Sequence, residues 1–100
     1  MDKYRVKLLA RAARDLDEAY NHIADEFKEI GTAEHMADLL DGAILGLDEM
    51  PYRGSVRRTG AFANRGYRQI FVKNFTIVYR IDEEKKLVVI ITVRYTPSSF

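Results

Sequence analysis

Arg68, Arg80, Arg94 and Tyr95 are the residues of this chain whose types suit work on a phosphodiester. Cleavage of RNA needs a base to take the 2′-hydroxyl proton and an acid to protonate the departing 5′ oxygen. It also needs cations to hold the charge of the pentavalent transition state. Arg68 and Arg80, on adjoining strands, suit the third role, and Tyr95 beside Arg94 suits the acid. No His, Asp or Glu lies between Pro51 and Ile81 to serve as the base. That gap weakens catalysis and leaves intact the reading of these residues as a surface that binds.

These arginines belong to a longer stretch. Between Glu49 and Asp82 there is no acidic residue, yet Arg53, Arg57, Arg58, Arg65, Arg68, Lys73 and Arg80 all fall there. Tyr52, Phe62, Tyr67, Phe71, Phe75 and Tyr79 are interleaved with them. Residues 1–50 hold six Lys/Arg against twelve Asp/Glu and residues 51–100 hold ten against three, so charges of −6 and +7 hide inside a net +1. Such asymmetry suggests that one end of the molecule meets an anionic partner. On that reading Arg53, Arg57, Arg58, Arg65 and Lys73 contact a target or a nucleic acid. The other reading is that they are the solvated faces of strands.

Composition excludes several classes. One hundred residues, 47% hydrophobic and 31% charged, predict one folded domain spanning 1–100. Without cysteine there is no disulfide framework and no thiolate metal site. His22 and His35 have no metal-ligand partner at HExxH spacing, and His22 falls on the polar side of its helix, so no metal or other cofactor is expected. Gly54 and Gly60 are isolated and form no phosphate-cradling loop. The start, Met1-Asp2-Lys3-Tyr4-Arg5, lacks the apolar stretch of a signal peptide, and no apolar run approaches membrane-spanning length. A soluble cytoplasmic protein with no membrane partner is expected.

The elements that position these residues follow from periodicity. Tyr4, Val6 and Leu8 alternate with Lys3, Arg5 and Lys7, a short strand. Ala12, Leu16, Ala19/Tyr20, Ile23, Phe27 and Ile30 recur at helical spacing, predicting an amphipathic helix over 10–30 that Gly31 ends. Asp15 and its acidic neighbours should face water. Thr32 is the expected N-cap of a second helix that closes at Met50-Pro51. Gly42 and Gly46 inside it predict close approach to the first helix. Residues 51–64 read as a loop in which Arg53, Arg57 and Arg58 can move to meet a partner. Residues 66–72 and 75–81 form a hairpin about Lys73-Asn74. After a charged turn at 82–85, the apolar run 87–93 predicts a central strand. The order β-α-α-β-β-β is α+β, with a helical hairpin on one face of a mostly antiparallel sheet and the other face left to water or a partner.

The Tyr-Arg-Val-Lys-Leu strand, the Ala-Arg-Asp-Leu segment 13–16, and Pro51-Tyr52-Arg53-Gly54 together resemble the RelE/ParE toxin superfamily. So do Tyr67-Arg68, the run 75–82 and Val89–Val93, and the likeness covers almost the whole chain in order. The resemblance implies the toxin half of a type II toxin–antitoxin pair, neutralised by a cognate antitoxin protein and able to enter a higher-order toxin–antitoxin assembly. Members either cleave ribosome-bound mRNA, as RelE does, or poison DNA gyrase, as ParE does. Arg68 falls where RelE-like enzymes place a strand lysine. Ile70 stands at their second lysine and Thr76 at a strand arginine, while Tyr95 lies near the end that carries their tyrosine. These departures favour a ParE-like or otherwise non-nucleolytic toxin. An mRNA interferase and an inactive antitoxin-binding module are the alternatives.

Overall fold

The computed structural model describes residues 3–97. Strand β1 (Arg5–Leu8) leads into helices α1 (Ala10–Glu26) and α2 (Ile30–Leu45), and 3₁₀ turns follow at Gly46–Asp48 and Pro51–Arg53. Strands β2 (Ser55–Val56), β3 (Arg68–Val72), β4 (Phe75–Asp82) and β5 (Leu87–Tyr95) complete one sheet of order β1-β5-β4-β3-β2. β2, β3, β4 and β5 pair antiparallel. β1 pairs parallel with β5, because the helical hairpin between them carries the chain back across one face. The α+β expectation holds, with one additional strand.

Each strand of the β3–β4 hairpin alternates faces. Phe75, Ile77 and Tyr79 enter the main core with Ala12, Ala19 and Ile23 of α1 and Leu40 and Ile44 of α2. Small residues at 12 and 19 let α1 lie close on β5. The other face carries a second cluster of Val78, Val89 and Ile91, covered by Phe62 and Tyr67. Ile91 is an extra residue in β5: Val78 pairs with Thr92 and Tyr79 with Ile90, a β-bulge.

Several expectations are corrected. α1 ends at Glu26 rather than Ile30, because Phe27 turns to extended backbone and packs its ring on the core, leaving 27–29 to reverse the chain. Gly31 and Thr32 lie inside α2, whose N-cap is Glu29 without a side-chain cap bond. Gly42 and Gly46 do not permit a helix contact. A Cβ at Gly42 meets nothing within 4 Å, and one at Gly46 would meet only the Arg53 guanidinium at 3.5 Å. Asp15 is not a solvated residue. β1 stops opposite Ile90, so β5 beyond it has an open edge, and there Asp15 accepts hydrogen bonds from the Thr92 hydroxyl and the Val93 N–H. The expected loop 51–64 is shaped by two short elements, and its continuation folds over the outer sheet face.

Candidate target-binding surface

The segment Pro51–Gly54 is held from beneath by β3 and β4. The buried Tyr79 hydroxyl donates to Pro51 O at 2.7 Å and accepts from Gly54 N–H at 3.1 Å. Burial pushes this phenol upward from its ordinary pKa. A Cβ at Gly54 would come within 2.4 Å of Gln69 O and 2.6 Å of the Tyr79 hydroxyl, so only glycine allows this approach. Arg68 pairs with Tyr79 and shares its face. Its guanidinium donates to Gly54 O at 2.7 and 3.1 Å and to Tyr52 O at 3.4 Å, and lies 5.2 Å over the Tyr52 ring.

Arg80 faces the other way. It pairs with Val89, alternates with the inward Tyr79, and is exposed on the outer face. Arg68 and Arg80, though on adjoining strands, therefore occupy opposite faces of the sheet. Arg94, opposite Thr76, is outward too and donates from Nε to Thr92 Oγ1 at 3.1 Å. Thr76 lies four residues from Arg80, so Arg94 and Arg80 are separated by about 13 Å along the strands. Tyr95 pairs with Phe75 on the helix side, where its ring stacks on His22 at 3.9 Å between centroids. The four candidate catalytic residues thus divide two and two between faces.

The basic residues of 51–73 also separate. Arg57 is 5% exposed and cannot swing toward a partner. Its Nε donates to Ala61 O at 2.5 Å and its Nη1 to Gln69 Oε1 at 2.7 Å, and desolvation lowers its pKa from the usual arginine value. Arg53, Arg58, Arg65 and Lys73 are exposed. Arg53 lines an open groove of about 380 Å³ between α2 and β3, with Leu39 and Phe71. Arg65 lies 5.7 Å over Phe62, and Arg11 of α1 lies 5.3 Å over the same ring. Arg11 escaped the sequence reading because it sits in the acidic half; only the fold brings it to the outer face. Phe62 and Asn64 hold positive φ (66° and 59°), a conformation uncommon for bulky side chains, and this places Phe62 on the Val78 cluster.

A further cluster was also missed. Glu83 accepts from the hydroxyls of Tyr4 and Tyr52 and pairs with Lys86, joining the segment just before β1, the Pro51 turn and the β4–β5 turn. Lys86, then Tyr4 and Tyr52, pull the Glu83 carboxyl down to a pKa of about 2. His22 is half-buried against Phe75 and Tyr95 rather than solvated. Among the described residues no three His, Cys, Asp or Glu side chains gather in a way that could hold a metal ion, and no helix is long and apolar enough to cross a membrane.

What the outer face offers is a fixed, arginine-edged sheet with aromatic rings set in it. The chain matches the model of the ParE toxin of the type II toxin–antitoxin system parDE over residues 6–97. Its structure resembles the RelBE2 toxin–antitoxin complex of Mycobacterium tuberculosis, with 24% identity, 98% of this chain and 97% of that chain covered, and a TM-score of 0.67. It resembles the chromosomal ParDE system of P. aeruginosa at 20% identity, 96% and 99% coverage, and a TM-score of 0.69. It also resembles the isolated E. coli RelE toxin at 17% identity, 96% and 87% coverage, and a TM-score of 0.63. No curated protein sequence matches it. The family match spans nearly the whole described chain, and the fold agrees: this protein belongs to the ParE toxin family, within the RelE/ParE superfamily of type II toxin–antitoxin toxins.

Proposed function

We propose that this toxin acts in the cytoplasm by binding its target without cleaving RNA, in the ParE manner, with DNA gyrase as the target. The observation that carries this reading is the fate of Arg68. Its guanidinium is occupied by Gly54 O and Tyr52 O on the helix side, while Arg80 faces outward, so the pair suited to a phosphorane is never assembled. Ile70 is 8% exposed in the core and Thr76 is 2% exposed, bonded to Thr96, so neither replaces the missing cations. A lost transition-state donor typically costs ~10²–10³-fold in rate. The purified protein should inhibit gyrase supercoiling and leave translated messages intact. Messages cut on the ribosome, with supercoiling untouched, would assign it to the RelE-like interferases.

A cognate antitoxin is the second partner. Leu45, Met50, Tyr52 and Phe71 are large apolar side chains left 53–65% exposed, each available to the apolar side of an amphipathic segment that orders as it docks. Solved relatives of this fold are toxin–antitoxin complexes. The complex should persist at high salt, because apolar docking is not screened. Dissociation on raising salt alone would assign recognition to the arginines instead.

A further inference from the structure

Where α1 and α2 meet the ends of β4 and β5, a cavity of about 330 Å³ opens on the helix-facing side of the sheet. Its ring walls are His22, Phe27, Phe75 and Tyr95. The Phe75 and Tyr95 rings stand 5.5 Å apart at 61°, and His22 stacks on Tyr95. Its polar lining is Glu26, one helical turn beyond His22, with Lys73 and Asn74 from the β3–β4 turn. Neither Glu26 nor Lys73 has an ion-pair partner among the described residues. His22 Nε2 is the one buried side-chain nitrogen or oxygen among the described residues without a hydrogen-bond partner. A volume in the range of small-molecule sites, apolar walls and a few convergent polar groups are the general marks of a ligand pocket.

We propose that this cavity binds a guanine base. Tyr95, 43% exposed, and the half-buried Phe27 offer aromatic surface to a planar ring, and stacking alone would accept any base. The polar groups discriminate. Guanine presents two adjacent N–H donors, at N1 and N2, which a carboxylate such as Glu26 accepts together. Its O6 and N7 are acceptors, which suits the Lys73 ammonium and the Asn74 amide. Adenine and cytosine set a ring acceptor beside the amino group, and Glu26 would repel it. Uracil and thymine flank a single N–H with carbonyls. One carboxylate against one ammonium leaves the lining neutral, as a neutral base requires. Tyr95 lies on the His22 imidazole, whose Nε2 is buried without a partner. The site lies on the opposite side of the sheet from Arg80 and Arg94, so it does not rest on the gyrase reading.

The test titrates the full-length protein with guanosine monophosphate, with adenosine monophosphate, and with a short single-stranded oligonucleotide containing one guanine. Affinity is read by calorimetry, and the His22 imidazole resonances are followed by NMR. The guanine nucleotide should bind and shift His22, with the adenine nucleotide weaker by about tenfold or more, the scale of a hydrogen bond to a charged group. Glu26→Gln, at an exposed position outside the core, should fold normally and weaken the guanine nucleotide by about the same factor. Binding of the oligonucleotide alongside the mononucleotide would identify guanine within a strand as the source. Binding of the mononucleotide alone would identify the free nucleotide, and both outcomes support the site. No binding at millimolar concentration, equal affinity for adenine, or an unchanged Glu26→Gln affinity would each overturn it.

Discussion

Arg68→Ala should act on stability before it acts on any reaction. The guanidinium makes two contacts of 2.7 and 3.1 Å to one carbonyl, Gly54 O, and a longer one to Tyr52 O. A hydrogen bond from a charged donor contributes about 1.5–3 kcal/mol net, and the half-buried setting of Arg68 places it near the lower end. Loss of the stacking on Tyr52 adds about 0.5 kcal/mol. The total is about 2 kcal/mol. For a domain of this size each kcal/mol moves Tm by roughly 4–8 °C, so the midpoint should fall by about 8–16 °C. Circular dichroism melts and urea titrations measure this directly, with the urea midpoint falling and its slope unchanged. Arg68→Lys should recover little, because an ammonium cannot reproduce the guanidinium fork. An Arg68→Ala protein that melts with the wild type yet has lost all toxicity would refute the structural role and return Arg68 to the chemistry.

The other predictions probe the same frame. Tyr79→Phe leaves Pro51 O and Gly54 N–H without their partner and should cost about 1–3 kcal/mol by urea denaturation. Gly54→Ala forces a Cβ against Gln69 O and should cost about 3 kcal/mol or prevent folding, read from soluble yield and melts. Glu83 has its folded pKa depressed to about 2, so its contribution is complete above the ordinary carboxylate range and is lost as pH falls from about 4.5 toward 2. Glu83→Gln should flatten the melting temperature across that window, and the difference should shrink in high salt. Arg80→Glu, at an exposed position, should leave the melt nearly unchanged and weaken target binding by reversing charge on the outer face.

Much of the frame was legible because it depends on local periodicity. The stripe through Ala12, Leu16, Ala19 and Ile23 marks α1, and the apolar run of 87–93 marks a strand covered on both faces. The division of Arg68 from Arg80 was legible too. A two-residue turn at Lys73-Asn74 sets Val72 opposite Phe75 and therefore Arg68 opposite Tyr79, which turns Arg80 to the far side. Other features depend on distant neighbours and leave no periodic trace. Phe62 and Tyr67 lie in an aperiodic stretch, and their burial on Val78, Val89 and Ile91 needs positive φ at Phe62 and a bulge in β5. β2 is two residues long, below what alternation can mark. Asp15 and His22 read as solvated because the helical stripe excludes them. β5 extends past the end of β1, and its open edge and its terminal Tyr95 cover both residues.

We propose that this ParE-family toxin holds a target and does not cut RNA. Its most direct test is induction in a sensitive host, with gyrase-dependent DNA breaks and primer extension on translated messages scored in the same cells. Binding to gyrase predicts DNA breaks with uncut messages, both unchanged in pattern when Tyr95 is replaced by Phe. Intact DNA together with messages cleaved within the reading frame would contradict it.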